Sequence, residues 1–304
     1  MYFKKAIPSD PLKKYIKQYW VAKEDGYKMI REINPSSNIC VCFHIGHKAS
    51  YKLIDKDFWE GQKQSFDTVL KKIEETPVIA RNAIIGPHRT MMIETSEHGI
   101  NTFCIEFNTG FHKRFFGKDI ATLTDNIIQL DNYNALLSGI ANIVSICNTD
   151  KIFDTVDKYL LDKYLPIISN MVGNDSLLEV INKTTLNPLG ASVETMATQM
   201  NMSKRNFERL FKQFTGLTPK QYIGIQRVNM VCKRMTEHQD YSLMEILEYC
   251  GYYDQAHINR DFNIIGGLPA TQIFQNIKDQ IVNLPDALGL NYNTDGVCGF
   301  NLLT

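Results

Sequence analysis

No stretch of this sequence stays apolar for the roughly 18 residues that a membrane-spanning helix needs, which excludes an ordinary membrane span. The first residues contain no continuous apolar region of the kind that a secretion signal carries. The seven cysteines show no spacing typical of a disulfide framework, so reduced thiols are the simplest explanation of them. These absences predict a cytoplasmic protein with no membrane partner.

Motifs of the common catalytic centres are absent as well. The sequence has no Ser-His-Asp arrangement, no phosphate-binding glycine loop and no His-Glu-x-x-His helix. The seven histidines are scattered, and spacing gives none of them a nucleophile partner. We therefore expect neither an enzyme nor a cofactor.

Net charge is zero, because 33 basic residues balance 33 acidic residues, so overall charge favours no class of partner. The distribution is more informative. Residues 203–234 contain eight basic residues and one acidic residue, a formal charge of +7, whereas residues 235–278 carry a formal charge of −4. A local excess of positive charge is typical of a surface that contacts nucleic-acid phosphates.

The length of 304 residues suits two globular domains. Short runs rich in β-branched and aromatic residues, bounded by Gly, Pro or Asn, predict strands at 39–45, 78–80, 83–85, 91–95 and 102–107. Many short strands with turn residues between them predict a β-barrel or sandwich over residues 1–131. Helical interruptions of this domain are expected at 10–20 and 66–75.

From residue 132 the apolar period changes from two to about 3.6. One apolar stripe contains Leu136, Leu137, Ile140, Ile143, Val144 and Cys147, and a second contains Phe153, Val156, Leu160 and Tyr164. They predict a helical hairpin with Asp150 as the N-cap of its second helix. The hairpin either packs on the N-terminal domain or forms a dimer interface. A further short helix and a turn at 187–190 complete a connecting region over 132–190.

One pattern occurs twice between residues 192 and 274: a short amphipathic helix, a tight turn, a second helix with polar and basic side chains, and a closing Gly-Leu turn with proline. In the first copy, Met196 and Ala197 stand where the supporting helix must face its partner, and Ser203 is the expected N-cap of the second helix. The buried face of that helix is predicted from the i, i+3, i+4, i+7 spacing of Phe207, Leu210, Phe211 and Phe214.

This stretch closely resembles the DNA-binding domain of the AraC/XylS family of bacterial transcription regulators. The resemblance covers the 83 residues from 192 to 274. It depends on Ala197, Ser203, residues 207–211 and 216–219, Tyr222, Arg227, Gly251, Tyr252, Asp254, Gln255, His257, Phe262 and residues 267–269. It implies an all-α domain of seven helices at 191–278. Two helix-turn-helix units, joined by a long helix at about 219–235, would enter successive major-groove segments of double-stranded DNA.

Position by position, the resemblance implies base contacts by Arg205, Glu208 and Arg209 in the first unit, and by Ala256, His257 and Arg260 in the second. Arginine can bond O6 and N7 of guanine and glutamate can accept from N4 of cytosine, whereas alanine offers only contact with a thymine methyl group. Phosphate contacts, which set register and not sequence, are implied for Lys204, Asn206, Lys212 and Gln255.

The second unit departs from the family pattern. Residues 263–265 are Asn-Ile-Ile where relatives commonly have a basic residue, and the usual single glycine is doubled at Gly266 and Gly267. Together with its negative formal charge, this predicts that the second unit contributes less to DNA affinity than the first.

Cys40, Cys42 and His44 alternate, so a strand would place them on one face, with His47 nearby. A soft metal site, and with it a metal enzyme, is one interpretation. The other, which we favour, is a dry core in which the cysteines act as small hydrophobic residues, and we expect no metal.

The turn at 86–90 places His88 beside Arg89. It could hold an anionic ligand, or it could be a surface turn in which Arg89 pairs with Glu94 or Glu106. His44, His88 and Arg89 are accordingly the candidate effector-binding residues. Residues 80–131 also resemble the N-terminal domain of some AraC-type regulators, which implies a β-rich sensing or oligomerisation module.

The sequence thus predicts an α+β protein: a β-rich domain with a helical hairpin, followed by an all-α tandem helix-turn-helix domain. Its predicted function is sequence-specific transcription regulation, modulated by an effector or partner at the N-terminal domain. The partners this implies are double-stranded DNA, a small-molecule effector, a second copy of the chain and, for an activator, RNA polymerase. In an alternative, motivated by the acidic second unit, the DNA-binding domain has become an interaction module. Residues 279–304 form a tail that is either mobile or docked on one of the domains.

Overall fold

The computed structural model describes residues 2–25, 29–54, 77–110, 115–117, 119–130, 135–168, 174–238, 240–252, 254–265, 270–271 and 299–302. In chain order the strands are β1 (Tyr2–Ala6), β2 (Ile16–Asp25), β3 (Met29–Ile33), β4 (Ile39–His44), β5 (Ala49–Leu53), β6 (Val78–Ala80), β7 (Asn82–Ile85), β8 (Met92–Ser96), β9 (Gly99–Phe107), β10 (Ile127–Gln129) and β11 (Gly299–Leu302). They form a six-stranded sheet in the order β1-β2-β9-β4-β7-β10 and a five-stranded sheet in the order β11-β3-β8-β5-β6. Five of these strands confirm the runs predicted from the sequence, and no strand end differs from the prediction by more than three residues.

The two sheets face each other as a sandwich, and the described strands do not close into a barrel. Side chains of the larger sheet, among them Cys42 and Cys104, share a core with Tyr51 and Met92 of the smaller sheet. The opposite face of the larger sheet is also buried, because helices cover it. A strand that is buried on both faces is apolar throughout and shows no alternation.

This double burial explains why the predicted helix at 10–20 is wrong. Only Asp10–Leu12 form a helical turn, of the 3-10 type, and β2 begins at Ile16. Tyr19 faces the helices while Trp20 faces the other sheet, so apolar residues follow one another without a period of two. The helix predicted at 66–75 lies outside the described residues.

The N-terminal domain also contains the short helix α1 (Ile120–Leu123). The connecting region is helical: α2 (Ala135–Ile146), α3 (Ile152–Lys163), α4 (Leu165–Ile168) and α5 (Asp175–Leu186). Ile140 of α2 and Leu160 of α3 are fully buried in the core that Phe103 of β9 lines. The packing alternative for the hairpin is therefore confirmed. The predicted cap is wrong: Lys151 is the N-cap of α3 and makes no side-chain cap, whereas the Asn148 side chain accepts the Asp150 N–H at 3.1 Å.

The C-terminal domain contains α6 (Val193–Gln199), α7 (Lys204–Thr215), α8 (Pro219–Glu237), α9 (Leu243–Tyr249) and α10 (Gln255–Ile265) around a second core. Five of the seven helices expected at 191–278 are described, and α5 of the connecting region contributes Leu177, Val180 and Ile181 to the same core. The end of the tail returns to the N-terminal domain, where β11 pairs antiparallel with β3 from Gly299 opposite Ile33 to Leu302 opposite Ile30. None of the helices in the described ranges has the length and apolar composition to cross a membrane.

Candidate nucleic-acid interface

The first helix-turn-helix unit is formed by α6, a short turn and α7. Ser192 and Ser203 cap the two helices, and the Ser203 hydroxyl accepts the Asn206 N–H at 3.4 Å, as predicted. Asn201 has a φ of 51°, a left-handed conformation that asparagine tolerates, and this reverses the chain between the helices. Met196 and Ala197 are buried in one core with Phe207 and Phe211 of α7. Packing therefore fixes which face of α7 points outward.

Three cations lie on that outward face. Arg205, Arg209 and Lys212 are exposed, and none of them forms an ion pair with a residue in the described part of the chain. Glu208 lies among them and is partly exposed. The N-terminal half of α7 thus presents free positive charge and two guanidinium groups to solvent, which suits guanine and phosphate recognition.

Lys204 and Asn206 are exposed at the start of α7, but Lys204 is already paired. Its Nζ lies 2.6 Å from Glu194 Oε1 of α6, and this hydrogen bond and charge raise the pKa of Lys204 and lower that of Glu194. An exposed pair of this kind contributes little to stability. A DNA phosphate can therefore replace the carboxylate as the partner of Lys204.

The long helix α8 joins the two units and begins with a capping box. The Thr218 hydroxyl accepts the Gln221 N–H at 3.3 Å, and the Gln221 side chain accepts the Thr218 N–H at 2.9 Å. In mid-helix, Arg227 donates from Nε to Pro188 O at 3.0 Å, and its Nη1 lies 3.9 Å from Asp261 Oδ2 of α10. One side chain therefore connects the entrance of the first unit with the second recognition helix.

The second unit has the same architecture with different chemistry on its surface. Ile246 and Leu247 of α9 and Ile258 and Phe262 of α10 form its core. Outward positions carry an exposed Ala256, a partly buried His257 whose ring packs edge-on against Tyr252 at 5.1 Å, and an exposed Arg260. The side chain of Gln255 lies outside the described part of the chain. Arg260 is thus the one basic residue of α10.

The basic surface is narrower than the charge of residues 203–234 suggested. Arg227 is held by backbone carbonyls and Asp261, and both Lys233 and Arg234 lie within ion-pair distance of Glu237. Arg234 also stacks over the Tyr249 ring, 4.7 Å from its centroid. Within residues 203–234, four cations are exposed and form no ion pair with a described residue: Arg205, Arg209, Lys212 and Lys220, on α7 and the first turn of α8.

The N-terminal domain contacts the other end of α7 and one side of α8. Gln226 Nε2 donates to Ser37 Oγ at 2.9 Å, and Asn229 Nδ2 donates to Pro35 O at 3.1 Å. Met91 of the β domain is buried in the core of the C-terminal domain. Sequence reasoning missed this interface, because polar residues on a helix look the same whether they face water or another domain.

A buried carboxylate lies at the start of this interface. Glu106 of β9 accepts from Gln18 Nε2 at 2.6 Å, Asn38 Nδ2 at 2.6 Å and Lys17 Nζ at 3.1 Å. Thr109 donates to Asn38 Oδ1 at 3.1 Å and also contacts Ser37 O at 3.2 Å. Hydrogen bonds thus connect the larger sheet through residues 37–38 to Gln226 of α8. The sequence could not predict this network, because its members come from segments far apart in the chain.

The candidate metal residues of β4 occupy the space between the sheets. Cys42 is buried there and Cys40 is half-buried against the same cluster, in line with the core interpretation. His44 Nδ1 lies 2.8 Å from Thr102 Oγ1, and His44 Nε2 bonds the Tyr51 hydroxyl and lies 3.9 Å from Glu94 Oε1. Among the described residues, no group of His, Cys, Asp and Glu has the arrangement of a metal site.

The three candidate effector residues do not form one constellation. His44 lies at the end of β4, whereas His88 bridges to Ser36 before the start of β4. His88 is buried, its Nδ1 lies 2.8 Å from Thr90 O, and burial lowers its pKa. Arg89 is on the surface.

The expected partners of Arg89 are wrong. Its Nε lies 2.6 Å from Asp125 Oδ2, and its N–H donates to Asp125 Oδ1 at 2.8 Å. Glu94 and Glu106 are unsuitable because both are buried in the sheets. The turn at 86–90 is therefore a surface turn, which was the second of the two interpretations, but the carboxylate that pairs with Arg89 is Asp125.

The fold and the exposed cations together define a two-domain protein: a β-sandwich joined to a tandem helix-turn-helix module of the class that enters the major groove of DNA. A family model described as a helix-turn-helix domain matches residues 196–276, and a model described as a domain of unknown function, DUF6597, matches residues 4–129.

The transcriptional activator RhaS of Salmonella arizonae is 36% identical over 74 residues, which are 23% of this chain and 26% of RhaS, and RhaS of Salmonella paratyphi B matches equally. The chain thus matches about a quarter of the length of these curated relatives. Among solved structures, ToxT from Vibrio cholerae overlaps 90% of this chain and 98% of its own, at 9% identity and a TM-score of 0.45. The AraC-like activator CuxR overlaps 74% and 85%, at 10% identity and a TM-score of 0.22. Residues 196–276 thus form a helix-turn-helix domain similar to that of these AraC-type transcription regulators.

Proposed function

We propose that this protein is a sequence-specific DNA-binding transcription regulator in which α7 supplies the main DNA contact. The observation that carries the proposal is the outward face of α7, where Arg205, Arg209 and Lys212 are exposed without a described ionic partner. The match of residues 196–276 to a helix-turn-helix domain and the similarity to RhaS support it. In such a module the N-terminal half of the second helix enters the major groove.

Within α7, we assign the base contacts to Arg205, Glu208 and Arg209. The two arginines suit guanine, and Glu208 between them suits the amino group of cytosine. Lys204, Asn206 and Lys212 then lie at the margins of the helix, where phosphates would pass. Each well-formed base contact discriminates by about 1–3 kcal/mol against a wrong base.

In the second unit, we assign base contacts to Ala256, His257 and Arg260 and a phosphate contact to Gln255. His257 is already packed against Tyr252, and Ala256 offers a methyl group alone. Of this set, Arg260 is therefore the side chain with the strongest capacity for hydrogen bonding to a base. The second unit should therefore contribute more to sequence preference than to DNA affinity.

We further propose that an effector or partner acts through the contact of residues 35–37 with α8. A small molecule that binds the β domain can change DNA binding only if it favours one arrangement of the two domains over the other. A second copy of the chain would need surfaces other than the apolar faces of α2 and α3, because those faces are buried. Contact with RNA polymerase, for an activator, and a cytoplasmic location complete the proposal.

The test begins with selection of bound sequences from a random DNA pool, followed by titrations of the selected site with variants. Arg209→Ala should weaken binding by about 1–3 kcal/mol and relax preference at one base position. Arg260→Ala should cost less. Lys183→Ala, which removes an exposed lysine of α5 paired with Glu179, is the matched control and should bind as the unaltered protein does.

Salt dependence separates this proposal from the interaction-module alternative. Several phosphate contacts make the logarithm of affinity fall steeply with the logarithm of salt concentration. A flat dependence, or unaltered binding in an Arg205→Ala, Arg209→Ala double variant, would contradict DNA recognition by α7. Equal losses from Arg209→Ala and Arg260→Ala would contradict the asymmetry between the units.

A further inference from the structure

Three cysteine thiols from two neighbouring strands meet between the sheets. Cys42 of β4 lies directly opposite Cys104 of β9, and their sulfur atoms are 3.2 Å apart. Cys40, two residues earlier on the same face of β4, lies diagonally across from Cys104. Cys104 therefore lies between two thiols. The alternation of Cys40 and Cys42 was visible in the sequence, but the third thiol comes from a strand 62 residues away from Cys42.

The backbone register suits a covalent bond between the strands. Ile45 N–H donates to Asn101 O at 2.7 Å, so Ile45 and Asn101 are a hydrogen-bonded pair of the antiparallel ladder. Pairs alternate along such a ladder, which makes Cys42 and Cys104 a non-hydrogen-bonded pair. Cα atoms in pairs of that kind are about 4.5 Å apart, within the range of about 4.4–6.8 Å found across disulfides.

We propose that Cys42 and Cys104 form an oxidisable dithiol, which a two-electron oxidant such as a peroxide converts into a disulfide between β4 and β9. The two sulfur atoms need to approach by about 1 Å to reach bonding distance. Both S–H bonds break and one S–S bond forms. With hydrogen peroxide as the oxidant, the O–O bond breaks and the two thiol hydrogens leave in two molecules of water.

Burial defines how this site reacts. Cys42 and Cys104 are buried, whereas Cys40 is half-buried and forms the exposed side of the cluster. Burial raises the pKa of Cys104, so the reactive thiolate is scarce and mild oxidants react slowly. Cys40 is the thiol that an oxidant reaches first. The Cys104 thiol then displaces the oxidised group from Cys40, and exchange with Cys42 leaves the bond between the directly opposed pair.

A bond between Cys40 and Cys42 is geometrically excluded. Side chains two residues apart on one strand are parallel, so their Cβ atoms are about 6.6–6.8 Å apart, whereas the Cβ atoms of a disulfide are about 3.5–4.5 Å apart. Of the other described cysteines, Cys147 directly follows α2, Cys232 lies in α8 and Cys250 directly follows α9. The proposal thus concerns the β4–β9 pair alone.

The test treats the native full-length chain with diamide, a thiol oxidant whose N=N double bond accepts both thiol hydrogens. Free thiols are then alkylated, and trypsin peptides are identified by mass spectrometry. Cys40 and Cys42 fall in the peptide 32–48 and Cys104 in the peptide 90–113. A disulfide-linked pair of these peptides, reversed by dithiothreitol, is the expected result.

Variants assign the bond. In Cys42→Ala only the diagonal Cys40–Cys104 bond can form, so the yield of the link should fall. Cys40→Ala should keep the full yield but form the link more slowly, and Cys147→Ala is the matched control that should match the unaltered protein in yield and rate. Cys104→Ala should lose the link completely, and circular dichroism shows that each variant is folded. Absence of the link in the unaltered protein, or an undiminished link in Cys42→Ala, would overturn the proposal. No DNA is involved, so the result is independent of the proposed function.

Discussion

The substitution Gly216→Ala tests whether the β domain packs against the C-terminal end of α7. Gly216 closes α7 with a φ of 80°, a left-handed conformation that costs an alanine about 1–2 kcal/mol. A Cβ there would also lie 2.1 Å from Thr124 Oγ1 and 2.8 Å from Ile120 Cγ1, both in the N-terminal domain. Overpacking of this kind adds about 1–3 kcal/mol. Separation of the domains also relieves the clash, so the added cost cannot exceed the energy of the interface.

Gly251 offers a matched control in the same domain. Its φ is 70°, but a Cβ there would meet Leu189 Cδ1 at 3.5 Å, an ordinary contact. Gly251→Ala should therefore show the backbone cost alone, and Gly216→Ala should exceed it in urea unfolding followed by circular dichroism. Thr124→Ala removes the nearest atom and should recover part of the difference in the double variant. Equal destabilisation by the two glycine substitutions would refute the packing of the β domain against the C-terminal end of α7.

Three further predictions concern charge, capping and pH. Lys212→Ala should reduce the slope of log affinity against log salt by about 1 and weaken all DNA sequences equally, whereas a loss confined to one base position would make Lys212 a base-reading residue. Thr218→Ala removes the capping box of α8 and should lower the free energy of unfolding by about 1 kcal/mol; an unchanged urea midpoint would show that the cap is dispensable. Burial lowers the pKa of His88, so only the unfolded chain takes up this proton as pH falls below about 6.5, and stability should fall with it. In His88→Gln, urea titrations from pH 7 to pH 5 should show a smaller loss, and an identical loss would exclude His88 as the cause.

The helices of the C-terminal domain could be predicted closely from the sequence, because their signals are local. Ser203 before α7 and Thr218 before α8 were recognisable caps, and the period of Phe207 and Phe211 showed which face is buried. A cap acts within one turn, and an amphipathic face repeats every few residues. Caps and amphipathic faces can therefore be recognised in a short segment of sequence, independently of the rest of the chain.

Features that depend on distant segments could not be predicted in this way. The strand β2 appeared helical because it is buried on both faces and lost the alternation that marks a strand. Arg89 was paired in prediction with glutamates close to it in sequence, but the structure brings Asp125 next to it. Formal charge overestimated the exposed basic surface for the same reason. Arg227 contributes to the charge of residues 203–234, but its guanidinium is bound by backbone carbonyls and lies beside Asp261 of α10.

These internal pairings change the physical basis of the asymmetry between the two units. Formal charge made the first unit basic over its whole length, but four of its eight cations form ion pairs within the domain, and the other four lie unpaired with described residues on α7 and the first turn of α8. The β domain covers the C-terminal end of α7 and leaves the N-terminal half, with Arg205 and Arg209, exposed. This arrangement leaves the proposed base-contacting half of α7 accessible to a duplex while the β domain remains in place. Under the proposed function, an effector would therefore act through the position of α8 and the second unit, because the β domain does not cover the proposed contact face of the first unit.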